Sequence, residues 1–257
     1  MTRDWTSGVR CLASVLALLL AGCATTQYDY PRTESRAIPA GADTRLGARV
    51  EQLAPADPAL SGFYLLTNGI DALAARLLLA ARAERSIDAQ YYFVLDDLTG
   101  RTYLRELLLA ADRGVRVRLL MDDIRTAGFD EALTALDAHP NLEVRIFNAV
   151  SRRGGRSMDF VTRFGQANRR MHNKSMTVDG AASIVGGRNI GDEYFAARED
   201  VNFGDLDVLG FGRFAADVGL AFDAYWNHEL ALPVAALVDT GKSDLQALQR
   251  AYRASLD

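Results

Sequence analysis

Lysine is almost missing from this 257-residue sequence. Of its 29 basic residues two are lysine, Lys174 and Lys242, and the rest are arginine. Histidine is nearly as scarce, at His139, His172 and His228. The two cysteines, Cys11 and Cys23, fall in the first 23 residues, so everything downstream lacks a thiol for a disulfide, a zinc site or a nucleophile. There is no Gly-x-Ser-x-Gly elbow and no glycine-rich phosphate loop, which argues against a serine hydrolase or a nucleotide cradle. Basic blocks are also lacking and the net charge is −4, which argues against a dedicated nucleic-acid binder.

What is present is ordinary globular material, 49% hydrophobic and 24% charged, enough to bury a sizeable core. Residues 1–22 stand apart. Two arginines precede the apolar run CLASVLALLL, which is too short for an ordinary membrane span, and Leu20-Ala21-Gly22-Cys23 follows. This segment resembles the lipobox of bacterial lipoproteins. The resemblance implies a cleaved signal peptide over 1–22 and lipid attachment at Cys23. It places the protein in the cell envelope, anchored in a membrane and facing the periplasm. Ala24 after the cysteine favours the outer membrane. Residues 23–58, with Pro31, Pro39, Pro55 and Pro58 and no clear apolar period, read as a tether.

From residue 59 the texture changes. Residues 68–86 show helical spacing at Ile70, Leu73, Leu77 and Ala81; SIDAQYYFV reads as a strand; residues 99–114 form a second helix stopped by Gly114. VRVRLLMDD is a strand alternating Val115, Val117 and Leu119 against arginines. A short helix ending at Pro140 and the strand LEVRIFN complete a strand–helix alternation that implies an α/β fold with a parallel section. RMHNKSMTVD and ASIVGG read as a strand and its return, and NFGDLDVLGF as another strand. A helix then places Phe214, Val218, Phe222 and Tyr225 or Trp226 on one side. This α/β unit spans 59–231, and residues 232–257 read as a linker and one more helix.

One of the two lysines sits two residues after one of the three histidines. In a strand, His172 and Lys174 would project from one face, and the turn at Gly187-Arg188-Asn189 would bring Asn189 back to the same edge. An imidazole nucleophile beside an ammonium and an amide suits attack on a tetrahedral anion such as phosphate. A single histidine with no thiol has no metal-ligand logic, and no metal or cofactor is expected.

The spacing His172-x-Lys174-x4-Asp179-x6-Gly186-Gly187-x-Asn189 resembles the HxKx4Dx6G(G/S)xN signature of the phospholipase D superfamily. The stretches 91–123, 186–195 and 221–227 extend the resemblance toward C-type bacterial cardiolipin synthases and related lipoproteins. It implies a phospholipase D-like lobe, a mixed sheet with helices on both faces. By analogy His172 attacks phosphorus to give a phosphohistidine, Lys174 and Asn189 hold phosphate oxygens, and Asp179, Gly186 and Gly187 are structural. Asp205 best matches the acid that orients the imidazole, with Asp207 and Asp200 as alternatives. The implied substrate is a phospholipid such as phosphatidylglycerol, exchanged by phosphatidyl transfer or hydrolysis. The alternatives are a homodimeric nuclease and a catalytically incomplete half-lobe that binds lipid or a partner. Family members with two lobes carry two such motifs; this sequence has one, so the resemblance implies that residues 232–257 lead into the start of a missing second lobe, and the second histidine is expected from a longer chain or a second copy. Arg152, Arg153, Arg156, Arg163, Arg169 and Arg170 either line an anionic path or form a solvated face. Asp96, Asp97, Asp122 and Asp123 read as caps and loop residues.

Overall fold

The computed structural model describes residues 29–53, 57–126, 128–149, 170–198, 200–238 and 244–254. Lys242, Cys23 and Arg152 to Arg169 therefore lie outside the described residues, as does the predicted signal segment.

The fold is mixed α/β, built on one eight-stranded sheet in the order β1-β7-β6-β5-β2-β3-β4-β8. The strands are β1 (Ser61–Leu66), β2 (Ser86–Tyr91), β3 (Arg116–Asp122), β4 (Leu142–Phe147), β5 (Ser175–Val178), β6 (Ala182–Gly186), β7 (Asp207–Gly212) and β8 (Ala231–Pro233). Six α-helices occur among the described residues: α1 (Arg45–Leu53), α2 (Gly69–Arg82), α3 (Leu98–Asp112), α4 (Asp130–Asp137), α5 (Arg213–Trp226) and α6 (Leu245–Ala254). β2, β3 and β4 are parallel, joined through α3 and α4, because a parallel pair needs a crossover. The remaining pairs are antiparallel.

Strand alternation sorts the two faces. Ile87, Ala89 and Tyr91 of β2 join the main core with residues of α2, α3 and α4. The opposite face, covered by α5, combines buried ion pairs with a smaller apolar cluster that includes Leu120, Phe147, Phe222 and Trp226. There Arg118 Nε donates to Asp88 (2.7 Å) and its Nη2 to Asp223 on α5 (2.9 Å), with the guanidinium lying over Phe222 and Trp226. The arginines of β3 thus alternate as expected, but Arg118 is buried and paired instead of solvated.

Two helices present a different stripe from the one their large apolar residues suggest. α2 buries Ala72, Arg76 and Ala80 and leaves Ile70 exposed. The alanines allow close approach to the sheet, so Arg76 can reach the buried Asp207 of β7 at 3.0 Å. α5 buries Ala215, Gly219, Phe222 and Trp226, a register offset by one from Phe214 and Val218.

The tether expectation needs correction over its described part. Residues 32–37 form a strap across the α5 side of the sheet. Buried arginines donate to its carbonyls, Arg118 to Ser35 (3.0 Å) and Arg145 to Thr33. Asp223 accepts the Ala37 N–H at 2.9 Å, and Trp226 Nε1 donates to Ser35 Oγ at 2.9 Å. The strap has no apolar period because main-chain hydrogen bonds hold it. Among the described residues no helix is long and apolar enough to cross a membrane.

Candidate active site

Topology gathers one end of the sheet. β5 runs antiparallel to β2, so the lead-in to β5 lies beside the exit of β2, with Gln90 opposite Ser175. β6 returns to that end, where Val185 pairs with Ser175, and β7 begins there, where Asp207 pairs with Gly186. His172 and Lys174, Gly187 to Asn189, and Asp205 therefore converge from three chain segments.

The hairpin that produces this is set by Asp179-Gly180. Both residues have positive φ, 53° and 65°, and Ala181 N–H donates to Val178 O at 2.9 Å, which closes a tight turn of three residues between the paired Val178 and Ala182. The Asp179 carboxylate is fully buried and accepts N–H groups from Glu84 (3.1 Å), Arg85 (2.8 Å) and Ser86 (3.0 Å), which ties the hairpin to the start of β2. The two glycines of the motif have an equally specific cause. A Cβ on Gly186 would stand 1.8 Å from Asp207 Oδ1, and one on Gly187 2.1 Å from Asp205 Oδ1.

His172 and Lys174 meet, but not as neighbours on a strand. β5 begins only at Ser175, and residues 170–174 are irregular. Side chains take the backbone groups a ladder would have used. Asp122 accepts the Met171 N–H (2.9 Å), and Lys174 Nζ donates to His172 O (2.8 Å). The same ammonium lies 3.0 Å from His172 Nδ1, and the exposed imidazole rests on Tyr92 with ring centres 4.6 Å apart. Loss of hydration, and then the Lys174 charge, hold His172 below the ordinary imidazole value. Burial pulls Lys174 down to about 8, against an upward pull from Asp205.

Asn189 is buried one layer deeper. Its Oδ1 accepts the Phe93 N–H (3.4 Å) and its Nδ2 donates to Tyr194 Oη (3.2 Å). An amide nitrogen carries two N–H groups, so this contact uses one of them. Asp205 lies within electrostatic reach of Lys174, but Oδ1 accepts its neighbour's N–H, Leu206, at 2.8 Å, and the Nδ1 of His172 faces lysine instead of this carboxylate. The two alternative acids lie elsewhere. Asp207 is fully buried between Arg76 and Arg188, and Asp200 pairs with Arg198 at the surface. The other histidines are used locally. His139 faces Asp112 (3.3 Å) and accepts the Asn141 N–H; His228 accepts the Leu230 N–H and packs on Phe147.

Sequence reasoning missed the aromatic floor. Tyr92, Phe93, Tyr194 and Phe203 form a run of ring contacts leading outward from His172. The available signal was the triplet Tyr91-Tyr92-Phe93 at a strand exit. Of the acidic pairs, Asp97 caps α3 through Gly100 N–H and accepts Asp192 N–H, and Asp96 pairs with Arg101.

Residues 77–226, more than half of the chain, match the family described as cardiolipin synthase, PLD-like domain. The chain belongs to this phospholipase D-like family. It is 46% identical over 201 residues to cardiolipin synthase C of Escherichia coli, covering 78% of this chain and 42% of that protein. It is 37% identical over 218 residues to an uncharacterized protein of Helicobacter pylori, covering 84% and 43% respectively. The chain thus spans less than half the length of these curated relatives. Among solved structures it resembles phosphatidylserine synthase of Haemophilus influenzae, with a TM-score of 0.51 and 14% identity over 81% of this chain and 47% of that one, a likeness of fold.

Proposed function

We propose that this PLD-like domain carries out phosphatidyl transfer of the cardiolipin synthase kind, through a phosphohistidine at His172. The observation that carries the reading is the pairing of an exposed, easily deprotonated imidazole with a buried ammonium 3.0 Å away, the nucleophile and the phosphate-neutralising charge in one place. The 46% identity to cardiolipin synthase C supports the substrate class.

A charged lysine can only donate, so its contact with Nδ1 leaves the ring proton on Nε2. For attack, Lys174 turns from Nδ1 to a phosphate oxygen, the ring proton shifts to Nδ1, and Asp205 accepts it as a hydrogen bond. The Nε2 lone pair then forms the N–P bond as the P–O bond to the leaving glycerol breaks, and a second histidine supplies the proton that alcohol needs. In the second step an acceptor alcohol attacks phosphorus, the N–P bond breaks, and the acceptor's proton returns to the second histidine. That histidine comes from a second lobe, either in a longer chain or in another copy. Asn189 supplies its second N–H to phosphate, and an acyl-modified Cys23 holds the domain at the envelope membrane, facing the periplasm.

The test is conversion of labelled phosphatidylglycerol to cardiolipin by the complete protein in vesicles. Absence of both cardiolipin and released head group would refute the reading. Labelled palmitate entering the wild type but not Cys23→Ala would support the anchor; equal labelling would refute it.

A pH dependence follows. The rate rises as His172 loses its proton, at a pH below the usual imidazole range, and falls as pH passes about 8 and Lys174 loses its charge. Lys174→Arg keeps a charge through that range but replaces a compact ammonium with a broad fork that cannot sit 3.0 Å from Nδ1 in the same space. We expect turnover to fall at least about a hundredfold with the fold intact by circular dichroism. A wild-type rate in Lys174→Arg would contradict the assigned role.

A further inference from the structure

We infer that Asp122 is a positioning residue for the reaction, fixing the chain segment that carries His172. The inference rests on His172 as the reacting group. Because residues 170–173 lie outside the strand ladder, which reaches back only to the Gly186 N–H on Lys174 O at 3.3 Å, β-sheet hydrogen bonds do not directly set where the imidazole stands. Something else must hold this segment, and the contacts converge on one carboxylate.

Asp122 ends β3, at the same end of the sheet as the exit of β2, and is fully buried. Its Oδ2 accepts the Met171 N–H at 2.9 Å, one residue before His172. Its Oδ1 accepts from Arg170 Nη1 at 3.2 Å and from the Ile124 N–H at 3.0 Å. The carboxylate therefore joins the exit of β3 to two consecutive residues of the lead-in. Arg170 also reaches Asn148 O (3.3 Å) just beyond β4, which extends the clamp to a third segment. Met171 completes the attachment. Its buried side chain packs with Leu120, Phe147, Phe222 and Trp226, and Gln90 Nε2 lies 3.0 Å from its sulfur. The charged groups facing Asp122 are Arg170 and its own neighbour Asp123. Burial, the largest influence, lifts the Asp122 carboxyl to about 6, so at neutral pH it stands ionised opposite Arg170.

Cap and loop roles are often dispensable, whereas this one bears on the nucleophile. With Met171 and Asp122 joined, the backbone before His172 is fixed; after it, the Lys174 contact to His172 O fixes the other side. Releasing the first clamp leaves the imidazole free to move against the phosphorus, and displacement of about 1 Å costs on the order of a hundredfold in rate.

The test uses the complete protein with isotope-labelled histidine, in which this chain contributes three ring signals, and two variants. Asp122→Asn keeps an acceptor for Met171 N–H but loses the charge opposite Arg170. Asp122→Ala loses both. At pH 7.5 we expect kcat to fall about tenfold in the first and about a hundredfold in the second, with KM changed less than about twofold. The His172 ring signal should shift in the same order while those of His139 and His228 stay in place. If the His172 signal and kcat match wild type in both variants, the inference is overturned. Equal movement of all three signals would also overturn it, since that reports general loosening. If the His172 signal shifts selectively while even the wild type turns over no phospholipid, the positioning stands and the proposed reaction falls.

Discussion

Replacing His172 with asparagine should abolish phosphatidyl transfer, by at least about a thousandfold, while leaving the melting temperature unchanged. The ring is exposed, and its contacts are the face of Tyr92 and the tip of Lys174. Asparagine can keep a polar contact to that ammonium, so the fold has little to lose. The reaction loses its nucleophile, because an amide nitrogen has no available lone pair with which to attack phosphorus. Conversion of labelled phosphatidylglycerol by wild-type and variant complete protein, read beside their thermal melts, separates the two effects. A His172→Asn protein that turns over at even a tenth of the wild-type rate would place the nucleophile elsewhere.

The largest expected loss of stability comes from Asp207→Ala. Asp207 is fully buried at the entry of β7, with Arg76 at 3.0 Å and Arg188 at 3.3 Å from Oδ2. Arg188 also donates to Leu66 O (3.1 Å) and Thr67 O (2.9 Å), linking β1 to the motif's second turn. Removing the carboxylate strands two buried guanidinium charges in a low-dielectric interior, a loss of about 3–5 kcal/mol. Asp207→Asn, with similar shape and no charge, should fall between. Urea unfolding curves measure both. A change below about 1 kcal/mol for the alanine variant would mean that water or another anion reaches the site. The prediction also separates Asp207 from Asp205, two residues earlier in the same NFGDLDV stretch. Asp207 holds the sheet together, and Asp205 lies against Gly187 within electrostatic reach of Lys174.

The gathering of the motif residues at one end of the sheet was legible in the sequence because its spacing carries geometry. Asp179-Gly180 takes paired positive φ values that close a hairpin, and the antiparallel return places Gly186 and Gly187 against the aspartates of β7. The order of strands and helices from residue 86 to 147 was also readable, since parallel strands separated by helices leave apolar runs at characteristic lengths. Less was legible where polar groups form the core. Arg76, Arg118 and Arg145 look like solvated charges in a sequence, yet each is buried and paired, and α2 turns toward Arg76 instead of Ile70. The strap at 32–37 is held by main-chain hydrogen bonds that no side-chain periodicity reports. β1 and β8 were missed for a related reason. β1 is an edge strand with Phe63, Tyr64 and Leu65 all exposed, and β8 is only three residues long, so neither shows one clean buried alternation. The irregular lead-in to β5 escaped because Asp122, remote in sequence, takes the Met171 N–H.

The most direct test of the central claim is to look for the covalent intermediate. The complete protein is mixed with phospholipid vesicles, quenched in base within milliseconds to seconds, digested and analysed by mass spectrometry under conditions that preserve phosphohistidine. The account predicts a phosphatidyl adduct on the peptide containing Met171-His172-Asn173-Lys174, attached through Nε2 and missing from His172→Asn. Turnover without any adduct at His172, or an adduct that persists in the variant at another residue, would contradict it.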